Sequence, residues 1–128
     1  MDRQRILVVE DTKNIAMALS FCLEAAGYDV VVAEDGVTAL ASISESPPDL
    51  VLLDLVLPRM NGFLVLEAMK QDAQMREVPV VVLSARSDDK DIERARALGA
   101  REYLVKPFTP QDLLTVVRET LTKEGSHA

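Results

Sequence analysis

Five short apolar runs constrain this chain more than any other feature: Ile6-Leu7-Val8-Val9, Val30-Val31-Val32-Ala33, Leu50-Val51-Leu52-Leu53, Val80-Val81-Val82-Leu83 and Tyr103-Leu104-Val105. They are short and rich in β-branched residues, so they read as strands. They are also near-continuous rather than alternating, which requires both faces of each strand to be buried. A parallel sheet covered by helices on both sides meets that requirement.

Between the runs the apolar residues change to helical spacing. Ile15, Leu19, Cys22, Leu23 and Ala26 share one face of a helix expected from about Thr12 to a stop at Gly27. Weaker segments follow at Val37 to Ser44, with Leu40 and Ile43 inward, and at Gly62 to Gln71, with Leu66 and Met69 inward. Asp88 to Leu98 carries Ile92, Ala95 and Leu98 on one side, with Gly99 beyond as a stop. The last helix runs from Pro110 to Lys123 on Leu113, Leu114, Val117 and Leu121, and Thr109-Pro110 supplies an N-cap followed by an N1 proline. Five strand-then-helix repeats with right-handed crossovers make a doubly wound α/β sandwich. Nothing interrupts the alternation, so one domain is expected over residues 1–123, with Glu124 to Ala128 as a flexible tail. A stand-alone domain without an output domain and a piece of a longer protein would read the same.

Composition removes several function classes. At 128 residues and 48% hydrophobic the chain can bury a core without a staple. Its single cysteine, Cys22, excludes an internal disulfide and a cysteine-based zinc site, and reads as a small core residue. Asp and Glu number 21 against 14 Lys and Arg, a net charge of -7, the wrong sign for direct binding to nucleic acid. No apolar run reaches the roughly 20 residues of a membrane helix, so a soluble, cytoplasmic protein is expected. Neither GxxxxGK[ST] nor GxGxxG occurs, which argues against a nucleotide or dinucleotide site. His127 lies in the tail without partners.

In an open parallel sheet the ligand site lies beyond the carboxyl ends of the strands. Here those ends deliver Glu10 and Asp11 from the first strand, Asp54 from the third, Ser84 from the fourth and Lys106 from the fifth. Two unit charges 4 Å apart repel by roughly 4 kcal/mol at an effective dielectric of 20, and Lys106 can offset only one of three carboxylates. Hard oxygen ligands with an excess of negative charge suit Mg²⁺, an ion commonly shared between carboxylates and a phosphoryl group. Asp54 is then a nucleophile able to form an aspartyl-phosphate, with Lys106 and the Ser84 hydroxyl contacting phosphoryl oxygens. Taken singly, Glu10-Asp11 reads as a helix start, and Ser84-Ala85 and Lys106-Pro107 read as turns. Their shared position at strand ends favours the joint reading.

These residues resemble the receiver domain of two-component response regulators from about Ile6 to Leu121. Glu10-Asp11, the segment Asp54 to Gly62, Ser84-Ala85 and Tyr103 to Phe108 fall where that family's motifs fall. The resemblance implies strand order 2-1-3-4-5 and a phosphoacceptor at Asp54. It implies Mg²⁺ held by Asp11, Asp54 and the backbone carbonyl of Val56, with Glu10 reaching it directly or through water. It also implies a sensor histidine kinase or histidine phosphotransfer protein as donor, with acetyl phosphate as a small substitute, and a cis Lys106-Pro107 bond. Ser84 and Tyr103 match the switch pair that remodels the face made by the fourth helix, fifth strand and fifth helix. That face would bind a downstream protein or a second copy of the chain.

Two positions flanking the path of an attacking water, Val56 and Arg86, carry neither an acid nor an amide, so slow self-dephosphorylation is expected. Two rival functions stand beside this reading. A magnesium-dependent phosphohydrolase of the haloacid dehalogenase type needs a second Asp two residues after the nucleophile, where this chain has Val56. A phosphorylation-independent interaction module on the same fold would bind its partner equally well after Asp54→Asn.

Overall fold

The computed structural model of the chain describes residues 3–125, without the side chain of Glu124. Strands β1 (Arg5–Val9), β2 (Asp29–Ala33), β3 (Leu50–Asp54), β4 (Val80–Ser84) and β5 (Glu102–Val105) alternate with five helices. These are α1 (Lys13–Ala25), α2 (Gly36–Glu45), α3 (Gly62–Gln71), α4 (Asp89–Ala97) and α5 (Pro110–Gly125). All four strand pairings are parallel, in the order β2-β1-β3-β4-β5.

The near-continuous apolar runs serve two cores, one on each side of the sheet. Leu7, Val9, Val51, Leu53 and Val82 meet Ala39 and Ile43 of α2, Leu66 and Met69 of α3, and Ala95 of α4. Their neighbours Ile6, Val8, Leu50, Leu52, Val81 and Leu83 meet Leu19 and Leu23 of α1 and Leu113, Val117 and Leu121 of α5. Successive strand residues thus alternate between the cores, and each full burial contributes roughly 1.5–3 kcal/mol.

Three expectations are corrected. The sheet leaves β2 on its edge, so Val31 and Val32 remain 44% and 41% exposed where two buried faces were expected. On α1 the buried residues are Ala16, Leu19 and Leu23, with Cys22 half-buried against the same core as expected, whereas Ile15 and Ala26 are exposed. Ala16 lets the helix lie close to the sheet, and the larger Ile15 sits on its flank. The last helix runs two residues past Lys123, to Gly125; the rest of the expected tail, 126–128, lies outside the described residues.

Local signals elsewhere match their geometry. Gly27, at φ +101°, ends α1 by donating to the Glu24 carbonyl at 3.0 Å, and Tyr28 donates to that of Leu23 at 3.1 Å. That double closure needs a left-handed residue, which glycine adopts without strain. Thr109 and Asp112 cap α5 reciprocally, each side chain accepting the other's backbone N–H at 3.0–3.1 Å. A 3-10 turn at Met75–Glu77, not apparent from the spacing, is set by Asp72, whose carboxylate accepts from Gln74 and Met75 at 2.9 Å.

Candidate functional site

The carboxyl ends of β1, β3, β4 and β5 converge on one edge of the sheet. Glu10, just past β1, is 3% exposed and is tied to the β2 end by its backbone N–H, which donates to the Ala33 carbonyl at 3.0 Å. Its Oε2 accepts from the Thr12 N–H at 3.1 Å. Asp11 follows, exposed, before α1 begins. Asp54 closes β3 at 7% exposure, its Oδ1 accepting from the Val56 N–H at 2.9 Å. Lys106 reaches over from the end of β5, placing Nζ 3.1 Å from Asp54 Oδ2 and 3.5 Å from Glu10 Oε1. Its peptide bond to Pro107 is cis.

One carboxylate oxygen each of Glu10, Asp11 and Asp54 lies within 4.8 Å of the others. Two of these groups are buried beside a single cation, so the cluster carries an excess of negative charge. Burial raises the Glu10 pKa and the charge of Asp54 adds to it, outweighing the Thr12 hydrogen bond and the Lys106 charge. Burial alone would lower Lys106, but its hydrogen bond to Asp54 and the charges of Asp54 and Glu10 raise it on balance. Hard oxygens in this number, with surplus negative charge and an exposed member open to water, fit a small divalent cation such as Mg²⁺.

The loop after β3 is held against Asp54 by a close backbone approach. Gly62 donates to the Leu55 carbonyl at 2.9 Å, and a Cβ at that position would lie 2.7 Å from the Asp54 carbonyl oxygen and from Leu55 Cα. Only glycine lets α3 start this near the strand end. Val56 is 64% exposed, and its side chain, unlike its backbone, places no polar group beside the cluster.

Ser84, fully buried at the end of β4, accepts from the Arg86 N–H at 3.0 Å through Oγ. The Tyr103 hydroxyl donates to the Arg86 carbonyl at 2.7 Å, with its ring half-buried. A single residue's backbone therefore joins Ser84 to Tyr103. The Arg86 side chain in turn pairs with Asp91 of α4, Nε to Oδ2 at 2.8 Å. Sequence reasoning placed Arg86 only by its distance from Ser84; its main-chain link to Tyr103 leaves no side-chain signature. It also passed over Asp35, nearly buried, which caps α2 by accepting from the Thr38 N–H at 2.7 Å. The Asp35-Gly36 pair ahead of an apolar-periodic segment was the available sign.

Among the described residues no helix is long and apolar enough to cross a membrane. The model of the response regulator receiver domain matches residues 6–118. The chain is 43% identical over 121 residues to the DNA-binding response regulator MtrA of Mycobacterium tuberculosis, covering 94% of this chain and 52% of MtrA. It is 38% identical over 120 residues to the phosphate regulon transcriptional regulatory protein PhoB of Escherichia coli, again covering 94% of this chain and 52% of the relative. The chain thus spans about half the length of these relatives. Among solved structures, the CheY-like receiver domain protein of Methanospirillum hungatei superposes with a TM-score of 0.93 at 28% identity, covering 99% of this chain and all of that one. The chemotaxis response regulator CheY4 of Vibrio cholerae gives 0.88 at 31% identity, covering 93% of this chain and 99% of that one.

Proposed function

The chain belongs to the response regulator receiver family, the signalling domains of two-component systems, and on that premise we propose that Asp54 accepts a phosphoryl group from a phosphohistidine. The donor is a sensor histidine kinase or a histidine phosphotransfer protein in the cytoplasm. The observation that carries this reading is the Asp54 carboxylate, held at a strand end between the Val56 N–H and the Lys106 ammonium inside a carboxylate cluster.

A carboxylate oxygen of Asp54 attacks phosphorus as the P–N bond to imidazole breaks. The leaving imidazole keeps the electron pair and takes up a proton from water. Glu10, Asp11, Asp54 and the Val56 carbonyl would hold Mg²⁺, which when bound supplies charge neutralisation on the phosphoryl oxygens. Lys106, already 3.1 Å from Asp54, lies within reach of one phosphoryl oxygen. The Ser84 hydroxyl accepts from Arg86 and keeps its own proton to donate to another.

Phosphorylation adds about -1.5 to -2 charges, and Ser84 moving toward them draws on the Arg86 backbone that anchors Tyr103. The α4-β5-α5 face then changes its affinity for a downstream protein or a second copy of the chain. The shift is as large as the phosphoryl group's differential contacts with the two states. Val56 leaves the attacking water unoriented, so the aspartyl-phosphate decays slowly; a lifetime of seconds in the purified protein would contradict this. DNA binding and transcriptional control are named for MtrA and PhoB as whole proteins, and the acidic charge read above concerns these 128 residues alone.

Intact-mass spectrometry with acetyl phosphate tests the assignment. The expected result is a phosphoryl adduct that requires Mg²⁺ and is absent in Asp54→Asn. No adduct from acetyl phosphate or any of a panel of kinases would point to a phosphorylation-independent module, and steady turnover of phosphate esters would point to a hydrolase.

A further inference from the structure

The edge strand β2 has features that the phosphoryl chemistry leaves unused. Asp29 donates its N–H to Gln4, and Ala33 accepts from Glu10, so the backbone groups of residues 29, 31 and 33 point to β1. Those of Val30 and Val32 therefore point outward, with no strand beside them among the described residues. Edge strands in soluble proteins are commonly guarded by lysine, proline or a bulge, and Asp29-Val30-Val31-Val32-Ala33 contains neither lysine nor proline.

Two grooves flank this same strand, one on each face of the sheet. On the α1 face, a groove of about 470 Å³ is floored by Ala16, Met17, Phe21 and Val32, with Met17 69% and Phe21 77% exposed. The Ser20 hydroxyl borders it, buried and without a hydrogen-bond partner among the described residues. On the α2 face, a groove of about 300 Å³ runs beside Val31, Ser42 and Pro48. A strand added along β2 would send alternate side chains to the two faces, and so into these two grooves.

Charge selects the occupant. The α1-face groove is bordered by Glu24 and Glu34 against Lys13, with Glu10 and Asp11 of the carboxylate cluster at one end, whereas the α2-face groove carries Glu45 and Arg5 in balance. Of the nearby arginines, Arg5 donates to the Ser46 and Pro47 carbonyls and Arg3 pairs with Asp29. A second copy of the chain would bring this acidic edge against itself. We propose that β2 is a docking edge for an extended segment of a partner protein in which bulky apolar residues alternate with lysine or arginine. Backbone pairing to Val30 and Val32 supplies the affinity; the acidic rim of the α1-face groove takes the basic side chains, and the charge-balanced α2-face groove takes the apolar ones.

The test uses a fluorescein-labelled peptide of about ten residues alternating valine with lysine, a glutamate-for-lysine counterpart, and amide exchange measured by NMR. The lysine peptide is expected to bind and to slow exchange at the Val30 and Val32 amides, and the glutamate peptide is expected not to bind. Val32→Lys, at a half-exposed position that tolerates the change, should weaken binding about tenfold or more, and raising salt should weaken it further. Binding that leaves those two amides unchanged would overturn the proposal, as would equal affinity for the two peptides or the absence of binding. Self-association of the unliganded protein that Val32→Lys abolishes would assign the edge to a second copy instead. None of these readouts depends on phosphorylation, so the outcome is independent of the role of Asp54.

Discussion

Asp11→Asn should make the metal-free protein more stable. Asp11 is exposed and has no ion pair among the described residues, whereas Lys106 is engaged with Asp54 and Glu10. Its carboxylate lies within 4.8 Å of those of Glu10 and Asp54. At that separation each repulsion is worth about 3.5 kcal/mol at an effective dielectric of 20 and about 0.9 kcal/mol in water. Exposure puts Asp11 near the water end of this range, and attraction to Lys106 offsets one of the two repulsions, which leaves a net gain of about 1 kcal/mol. For a chain of this size that raises Tm by about 3–5 °C. The assay is thermal unfolding of both proteins in EDTA and in millimolar Mg²⁺. In EDTA the variant should melt higher; in Mg²⁺ the wild type should gain stability that the variant lacks, narrowing or reversing the gap. A variant that melts at or below the wild type in EDTA would refute the charge-crowding account.

Three further outcomes follow from the same structure. Lys106→Met removes the cation between Glu10 and Asp54 and should lower stability in EDTA by about 1–3 kcal/mol, the opposite sign to Asp11→Asn; an unchanged urea midpoint would contradict it. Gly62→Ala puts a methyl 2.7 Å from the Asp54 carbonyl and Leu55 Cα, backbone atoms that cannot step aside. Overpacking of about 1–3 kcal/mol less a helix-propensity gain of up to about 1 predicts a lower urea midpoint with unchanged slope. The Thr38 N–H lowers the Asp35 pKa below its ordinary 3.8, so its contribution to stability is present above that value and is lost as pH falls through the folded-state pKa. Denaturation between pH 6 and pH 2 should therefore show a shallower acid limb for Asp35→Asn than for the wild type, and parallel limbs would remove Asp35 from the acid transition.

How far the fold could be read from sequence depends on what each signal encodes. The strands were legible because burial on two faces demands unbroken apolar runs, and the helices because Gly27, Gly99 and Thr109-Pro110 punctuate them. Strand order was not legible from these signals. A run of three valines reads the same in the middle of a sheet as on its edge, so the exposure of Val31 and Val32 emerged only with the topology. The α1 face was misjudged at its margins because Ile15 and Ala26 extend the apolar arc past the part that meets the core, while Ala16, small and inconspicuous, is buried in it and Cys22 packs partly against it. Glu10, Asp11, Asp54, Ser84 and Lys106 were legible as strand-end residues. The Arg86 link between Ser84 and Tyr103 was not, since it runs through an N–H and a carbonyl that any residue except proline could offer.

The cluster's electrostatics explain why its residues make poor structural assets. Burial and the charge of Asp54 raise the pKa of Glu10, so this carboxylate resists ionisation where it stands. The same surplus of negative charge draws a cation, and a cation's arrival relieves it. Stability without metal and affinity for metal should therefore run in opposite directions across substitutions that remove a carboxylate charge here. Asp11 is the cleanest place to see this, because it caps no helix through its side chain and fills no core, so its removal changes the charge and little else. Asp54 is less clean, since replacing it also breaks the Lys106 pair, and Glu10 less so again, since it anchors the Thr12 N–H. A graded series in which Asp11→Asn stabilises most and Glu10→Gln least follows from these contacts, and equal effects at all three positions would mean that local charge does not govern the site.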